Sequence, residues 1–318
     1  MQHDTSSFLT EQSNRKSAKL DQLSTQEILR LMNEEDRTIA VQVQTVLPDI
    51  EKAVQAIVAK LENGGKMYYI GAGSSGRIGM LDAAECPPTF GVDPSMVSAI
   101  IAGGEQAMFQ AVEDAEDQEH AGDADVRARL TSRDVLIGLS ASGRTPYVLG
   151  GLHEASLLNA LTVSISCNIG TSLSLLADIP IEIPVGPEVI TGSTRLKATT
   201  AQKMVLNMIS STVMIHLGKV YGNLMVNVQA SNEKLRLRVV NIVMQATGVN
   251  EEKAQMYCQQ AEGDARIAIL MIKFGLQPDE LALRLQQNQD HFGKTVEQLD
   301  IWKRQSEAGL HAPNEQSS

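Results

Sequence analysis

Residues 67–77, MYYIGAGSSGR, contain the pattern of a strand, a loop and the start of a helix that best indicates the fold class. A short apolar run ends at Ile70, a loop of glycines and serines follows at once, and helical spacing begins near Arg77. Similar apolar runs lie at 97–101, 135–139, 162–166 and 179–183. Helical patterns separate most of them, at 105–120, 146–159 and 172–176. Strands that alternate with helices predict an α/β fold with a doubly wound parallel sheet, covered by helices on both faces.

Helical patterns also precede and follow this sheet. Residues 1–25 are a polar N-terminal segment rich in Ser, Gln and Lys, which we expect to be extended or wrapped on a partner. Residues 26–230 are the expected sheet domain. It opens with a helical N-terminal segment interrupted at Pro48 and closes with a long helix over 195–220.

The last part of the chain has no strand pattern. Five helical patterns predict a small C-terminal helical domain over 231–303, followed by a tail over 304–318 that is expected to be disordered from His311. The expected stops between these helices are Gly248, Gly263, Gly275 and Gly293. Glycine is the usual residue just after a helix C-terminus, because it adopts the left-handed conformation without a Cβ penalty.

Composition excludes several classes of protein. The 318 residues include 27 Lys and Arg against 38 Asp and Glu, and this net charge of −11 disfavours a nucleic-acid binder. Hydrophobic residues make up 43%, but no apolar stretch reaches the roughly 18 residues of a membrane span. The first residues lack the pattern of a secretory signal, and the three cysteines, Cys86, Cys167 and Cys258, lack metal-ligand spacing. We expect a cytoplasmic protein that binds neither nucleic acid nor membrane.

The glycine-rich loop matches the dinucleotide pattern G-x-G-x-x-G at Gly71, Gly73 and Gly76. A dinucleotide site also needs an acidic residue at the end of a second strand about 20 residues on. Here that position falls in the turn-forming run 87–93. The paired hydroxyls of Ser74 and Ser75 fit better with a terminal phosphate at a helix N-terminus.

A second loop, GLSASGRTP at 138–146, repeats the tripeptide Ser-Gly-Arg in the same position after a strand. Two such loops at the carboxyl ends of parallel strands converge on one crevice. The hydroxyls of Ser140, Ser142 and Thr145 could each simply cap a helix. The repetition of the loop favours a phosphate site over capping.

A third polar segment, GPEVITGSTRLK at 186–197, stands just before the long helix. Thr194 could act as the helix N-cap, with the charged residues on a solvated first turn. However, Arg195 and Lys197 are unfavourable near the positive end of a helix dipole, and an anion close by would explain them.

Two parts of the sequence offer candidate catalytic carboxylates. Glu85 stands where a helix is expected to stop, before Pro87, and the acidic run 113–117 would place Glu113 and Glu116 on one helix face. The alternative for the run is a solvated acidic face, and spacing alone does not make these residues a catalytic pair. The six histidines are scattered without zinc-ligand spacing, so no metal site is expected.

The chain resembles the N-acetylmuramic acid 6-phosphate etherases, a family with a sugar isomerase (SIS) domain. The resemblance covers nearly the whole chain and rests on IGAGSSGRIGMLDAAECPPTFG (70–91), AVEDAED (111–117), GLSASGRTPYV (138–148) and GPEVITGSTRLKATTAQK (186–203). The last segment is shared with glucokinase regulatory proteins. One departure is Thr199, where we expect the family to have Gly.

The resemblance implies a carbon–oxygen lyase that cleaves the D-lactyl ether of N-acetylmuramic acid 6-phosphate, a phosphorylated amino sugar of cell-wall recycling, by elimination and then water addition. It assigns the acid to Glu85 and the base to Glu116, with no metal or redox cofactor.

For the rest of the site, the resemblance implies phosphate ligands and a crevice lining. Ser75, Ser140, Ser142 and Thr145 would be the phosphate ligands, and Ser74 stands beside them. The residues expected to line the crevice, from the same or a neighbouring subunit, are Glu188, Ser193, Thr194 and Arg195. Because SIS domains usually pair, a homodimer is expected.

Two alternatives share the phosphate loops. An SIS aldose–ketose isomerase would also need a base at C2, but it has no acid aimed at a C3 ether and lacks Glu85 in the context AAECPPTFG. A non-catalytic sugar-phosphate sensor like the glucokinase regulators would carry two SIS domains. A chain of 318 residues has room for one.

Overall fold

The computed structural model describes residues 8–112, 114–228 and 233–309. They divide into two compact units: the first holds the described residues up to Glu85 together with Asp93–Val213, and the second holds Cys86–Val92 and the residues from Met214 on. The division lies upstream of the boundary expected at 230/231. The reason is that Val226 and Val228 are buried in the hydrophobic core of the second unit.

The first unit is built around a sheet of five parallel strands. These are β1 (Met67–Gly71), β2 (Val97–Ile101), β3 (Val135–Leu139), β4 (Leu161–Ser166) and β5 (Ile179–Glu182). Their order is β2-β1-β3-β4-β5, and all neighbours are parallel, which confirms the predicted doubly wound sheet. Every residue of β1 and β3 is buried, because helices cover both faces.

Strand register aligns the ends of the central strands. Gly71, the last residue of β1, pairs with Ile101 at the end of β2 and with Leu139 at the end of β3. The chain leaves β1 for β2 on one side and then crosses to β3 on the other. This reversal between β1 and β3 is where open α/β sheets form a ligand crevice.

Thirteen α-helices are present among the described residues. They are α1 (Thr25–Asp36), α2 (Ile39–Thr45), α3 (Leu47–Glu62), α4 (Gly73–Phe90), α5 (Glu119–Arg127), α6 (Pro146–Leu157), α7 (Ser172–Leu176), α8 (Lys197–His216), α9 (Glu233–Thr247), α10 (Glu251–Gln260), α11 (Ala265–Phe274), α12 (Pro278–Gln287) and α13 (Phe292–Gly309). None of them, within those ranges, combines the length and apolar composition that crossing a bilayer requires.

Helix α4 does not stop before Pro87, as the sequence led us to expect. It continues through Pro87 and Pro88 to Phe90. The Pro87 carbonyl oxygen accepts a hydrogen bond of 2.9 Å from the Gly91 N–H, so a residue beyond the prolines closes the last turn. Glu85 therefore lies within a continuous helix.

The expected helix over 105–120 is also wrong. Short 3-10 helices at Glu105–Met108 and Ala115–Asp117 replace it, and α5 begins only at Glu119. Asp114 has a left-handed backbone, φ 65°, which interrupts any regular helix at this point. Glu113 lies outside the described residues, and Glu116 belongs to the second short turn rather than to a long helix face.

The described part of the N-terminal segment contacts its own chain rather than extending away from it. Thr10 is fully buried. The Asn168 side chain accepts a hydrogen bond from the Thr10 N–H (3.3 Å) and donates one to the Thr10 hydroxyl (3.0 Å). Asn14 donates to the Glu35 carboxylate over 3.0 Å. These contacts fix residues 9–17, in two 3-10 turns, against the first unit.

Glu35 is a buried carboxylate held between two lysines. Burial alone would raise its pKa, but hydrogen bonds from Lys16 (2.9 Å) and Lys197 (2.8 Å) outweigh burial and hold the pKa below its usual value. The Lys197 side chain is 4% exposed, whereas that of Lys16 is 65% exposed. The ion pair with Lys197 is therefore the buried one.

Replacing Lys197 with Met is expected to lower the free energy of unfolding by about 3 kcal/mol, because the Glu35 charge loses its buried partner. The matched variant Lys16→Met should cost less than about 1 kcal/mol, since exposed ion pairs contribute little. Urea denaturation of both variants measures the difference. Equal losses would show that burial does not decide the strength of this pair.

The second unit is helical after residue 233, as predicted. Gly248, Gly263 and Gly275 have positive φ and follow α9, α10 and α11. Gly293 is not a stop, because it lies within α13. That helix also runs to Gly309, past the expected end at 303, while 310–318 lie outside the described residues.

Candidate active site

A cavity of about 350 Å³ lies at the carboxyl edge of the sheet, between the loops that follow β1 and β3. Five stretches of the first unit line it: Glu11; Ala72, Gly73, Ser74 and Ser75; Glu116 and Asp117; Ala141, Ser142, Arg144, Thr145 and Pro146; Gly192 and Thr194. Both hydroxyl-rich loops predicted from the sequence thus face one space.

The loop after β1 brings α4 into close contact with the strand. A Cβ atom on Gly71 would lie 2.7 Å from the Gly76 nitrogen, and one on Gly76 would lie 2.8 Å from the Gly71 oxygen. These two glycines of the G-x-G-x-x-G pattern therefore serve the strand–helix contact. Ser74 and Ser75 follow in the first turn of α4, and the Ser75 hydroxyl donates 2.8 Å to Oε1 of Gln202.

The loop after β3 is organised around Ser140. This residue is 2% exposed and does not line the cavity. Its hydroxyl lies 3.3 Å from the Ser142 hydroxyl and 2.8 Å from the Thr145 hydroxyl, and it accepts from the Gly143 N–H. Thr145 occupies the N-cap position of α6 without a side-chain capping bond. Ser140 therefore orients two hydroxyls that do face the cavity.

Several features of the cavity favour an anion. Helices α4 and α6 both begin at its wall, so the positive ends of both helix dipoles face it. Because α6 begins with Pro146, which has no N–H, the main-chain donors come from the first turn of α4. The Arg144 guanidinium also lines the cavity and stacks 3.9 Å above the ring centre of Phe8. Arg144 is not among the site residues predicted from the sequence, although the repeated Ser-Gly-Arg tripeptide contains it.

The segment before α8 contributes fewer residues to the cavity lining than the sequence predicts. Thr194 lines the cavity with Gly192, but Ser193 is half-buried outside the lining and Arg195 is exposed. The Thr194 carbonyl oxygen accepts from the N–H (3.0 Å) and the hydroxyl (2.9 Å) of Thr199. Thr199, the departure from the family pattern, therefore anchors this turn.

Glu188 does not line the cavity. It is fully buried, and its two carboxylate oxygens accept hydrogen bonds of 3.0 Å from the N–H groups of Lys197 and Ala198. Burial raises the pKa of this carboxyl, and the two N–H groups act in the opposite direction. Glu188 thus caps the first turn of α8, the role that we had considered for Thr194.

Three carboxylates line the cavity: Glu11, Glu116 and Asp117. Glu11 was not predicted, because only the packing of the N-terminal segment brings it here. Its Oε2 lies 3.9 Å from the position of a Cβ on Gly192. Among the described residues, no group of three or more His, Cys, Asp or Glu side chains is placed to hold a metal ion.

Glu85 is not among the lining residues. It is an exposed residue ten positions after Ser75 on α4, and a helix rises about 15 Å over that span. Asp82, one turn earlier, anchors this part of α4. Burial raises the pKa of Asp82, whereas its hydrogen bonds from Tyr69 (2.6 Å) and Ser210 (3.1 Å) lower it. Glu85 therefore does not share the lining of this cavity with Glu116.

Comparison with known proteins adds to this geometry. The family model of the glucokinase regulatory protein N-terminal SIS domain matches residues 49–156, and the SIS domain model matches 106–211. The chain is 53% identical to the N-acetylmuramic acid 6-phosphate etherase of Geobacillus thermodenitrificans (strain NG80-2), over 91% of this chain and 98% of that protein.

Two further relatives bear the same name. The enzyme of Clostridium beijerinckii is 49% identical over 92% of this chain and 96% of its own length. The enzyme of Escherichia coli O81 (strain ED1a) is 50% identical over 91% of this chain and 98% of its own length. The similarity therefore spans both units and is not confined to the phosphate loops.

Proposed function

Because the chain belongs to the N-acetylmuramic acid 6-phosphate etherase family, we propose that it cleaves the D-lactyl ether at C3 of N-acetylmuramic acid 6-phosphate. The products are N-acetylglucosamine 6-phosphate and D-lactate. The observation that carries the proposal is the cavity in which two phosphate-type loops face the carboxylates Glu116 and Asp117. The isomerase and sensor alternatives are not favoured, since the relatives that cover the chain are etherases.

The phosphate would bind between the two loops. Ser74, Ser142 and Thr145 supply hydroxyl donors, and Ser75 joins them once it exchanges its hydrogen bond to Gln202 for one to the phosphate. The first turn of α4 supplies N–H groups, and Arg144 supplies a positive charge. Ser140 would not touch the phosphate but would position the hydroxyls of Ser142 and Thr145 through its hydrogen bonds to them. Binding at C6 directs C2 and C3 of the sugar toward the carboxylates.

The reaction needs a base and an acid in turn. With the sugar open, the C1 aldehyde acidifies the C2–H bond, and Glu116 takes that proton. Lactate leaves from C3 as an acid protonates the ether oxygen, and a double bond forms between C2 and C3. Water then adds across it, with hydroxyl to C3 and a proton to C2, so one water is consumed for each lactate released. Glu85 fills the role of acid and later activates the water.

We infer that Glu85 acts in a neighbouring copy of the chain. It is exposed and lies about 15 Å along α4 from Ser75, so it fits the crevice of a partner better than its own. A homodimer would then carry two sites, each built from both subunits. Ser193 and Arg195, which do not line the cavity of their own subunit, are also available to a partner.

A cytoplasmic location is part of the proposal. Cys86, Cys167 and Cys258 are all buried and none of them is in a disulfide, which suits a reducing compartment. Burial raises the pKa of the Cys258 thiol to about 11 and that of Cys167 further, so neither is a thiolate at neutral pH.

The phosphate site gives a test by binding. Ser142→Ala should weaken binding of N-acetylglucosamine 6-phosphate by about 10-fold or more, because a hydrogen bond to a charged group is lost. Ser132→Ala, an exposed serine in the turn before β3, is the matched control and should bind within about twofold, as surface substitutions outside a site usually have little effect. Calorimetric titration measures both. Unphosphorylated N-acetylglucosamine binding as tightly as its 6-phosphate would contradict the assignment.

A further inference from the structure

A second cavity of about 350 Å³ adjoins the first and shares Ala72, Gly73, Glu116 and Asp117 with it. Beyond these shared residues, its wall is made of Ala102, Ala107, Ala111 and Val112, with the side chain of Arg77 and with Asp114. It therefore offers small apolar side chains and one cationic side chain, and the carboxylates of Asp114, Glu116 and Asp117 also lie on its wall. Nothing in the phosphate-binding or proton-transfer roles uses this space.

Arg77 is held firmly in place. Its Nε donates 2.9 Å to the Ala107 carbonyl oxygen and its Nη2 donates 3.0 Å to the Gln110 carbonyl oxygen. Both acceptors are neutral main-chain groups, so they orient the guanidinium without cancelling its charge. Because a guanidinium has further N–H groups in a planar fork, it can still bind a carboxylate.

The order of groups along the two cavities matches the order of groups in the substrate. Arg144 and the hydroxyl loops lie in the first cavity, Glu116 and Asp117 lie where the cavities meet, and Arg77 lies in the second. In the substrate, the C6 phosphate comes first, the reacting carbons C2 and C3 follow, and the lactyl carboxylate and methyl group come last. The substrate thus has two anionic groups, and each cavity has one arginine.

We propose that the second cavity is the subsite for the lactyl group, with Arg77 binding its carboxylate and the alanine and valine side chains contacting its methyl group. This assignment rests on the proposed function. It gives Arg77 a positioning and specificity role: holding the carboxylate fixes the C3–O bond relative to the C2–H bond that Glu116 attacks. N-acetylglucosamine 6-phosphate lacks the lactyl group and does not use this cavity.

The test compares two ligands that differ only in the lactyl group. Affinity for N-acetylmuramic acid 6-phosphate is measured by calorimetric titration in a Glu116→Gln background, which prevents turnover. Adding Arg77→Gln to this background should lower the affinity about 10-fold or more. Affinity for N-acetylglucosamine 6-phosphate should stay within about twofold. Arg133→Gln, an exposed arginine in the turn before β3, is the matched control and should change neither.

A second measurement compares two substrates, first in the unmodified enzyme and then in Arg77→Gln. The carboxamide of the lactyl group should be cleaved about 10-fold or more slowly than the acid, and Arg77→Gln should slow the carboxamide no further, because residue and carboxylate act as one pair. Equal rates for acid and carboxamide, or an equal loss of affinity for both sugar phosphates in Arg77→Gln, would overturn the subsite. Failure of the proposed function looks different: the unmodified enzyme would release no lactate at all, while the binding comparison would still report on Arg77.

Discussion

Replacing Glu116 with Gln is expected to abolish both lactate release and exchange of the C2 proton of the sugar. Removal of a general base typically costs about 100-fold or more, and here it blocks the first chemical step. Glu116 lines both cavities, and the proposed binding mode places the reacting carbons of the sugar between them. Incubation of substrate in D₂O, followed by NMR at C2 and a lactate assay, measures both losses.

Two further variants make this result specific. Glu119→Gln changes an exposed carboxylate three residues away, in the first turn of α5, and should leave both rates near those of the unmodified enzyme. Asp117→Asn tests the other carboxylate at the junction. If Asp117→Asn removed C2 exchange while Glu116→Gln kept it, the base would be Asp117 instead.

Replacing Glu85 with Gln should separate the two steps. Because the ether oxygen is a poor leaving group, lactate release should fall about 100-fold or more without the acid. The base at C2 is still present, so deuterium should continue to enter C2 of the unreacted substrate. Loss of exchange to the same extent as lactate release would contradict the division of roles between the two carboxylates.

Mixed dimers test where Glu85 acts. If each site combines Glu85 of one subunit with Glu116 of the other, co-expressed Glu85→Gln and Glu116→Gln chains should regain about a quarter of full activity, since half of the dimers are mixed and each has one intact site. The control pairs the double variant with the unmodified chain: its mixed dimer has no intact site, so only the quarter of dimers that are fully unmodified should be active, about a quarter of full activity. About half of full activity in the control, with none in the test pair, would place both carboxylates in one subunit.

The sheet was predictable because its strands are buried on both faces. Each apolar run can be recognised from neighbouring residues alone. Because β1 and β3 are parallel and in register, the loops that contain Ser75 and Ser142 lie at the same edge of the sheet. Gly71 and Gly76 illustrate the limit of motif matching. They fit a dinucleotide pattern, but here the absence of a Cβ lets α4 approach β1.

The errors arose where distant contacts override local preference. Glu188 caps α8 from nine residues upstream, which is outside the usual N-cap position that pattern rules consider. Glu11 reaches the cavity only because Thr10 is bound by Asn168, a contact across 158 positions. The error at Pro87 has a local cause instead: Pro87 was expected to end α4, but its carbonyl oxygen accepts from the Gly91 N–H and the helix continues to Phe90.

Cleavage of the lactyl ether by elimination and hydration is best tested with the unmodified chain in one assay. Purified protein is incubated with N-acetylmuramic acid 6-phosphate in D₂O, and both products are analysed. We expect stoichiometric D-lactate and N-acetylglucosamine 6-phosphate that carries deuterium at C2. Absence of lactate release would contradict the etherase assignment, and lactate release without deuterium at C2 would contradict the elimination route.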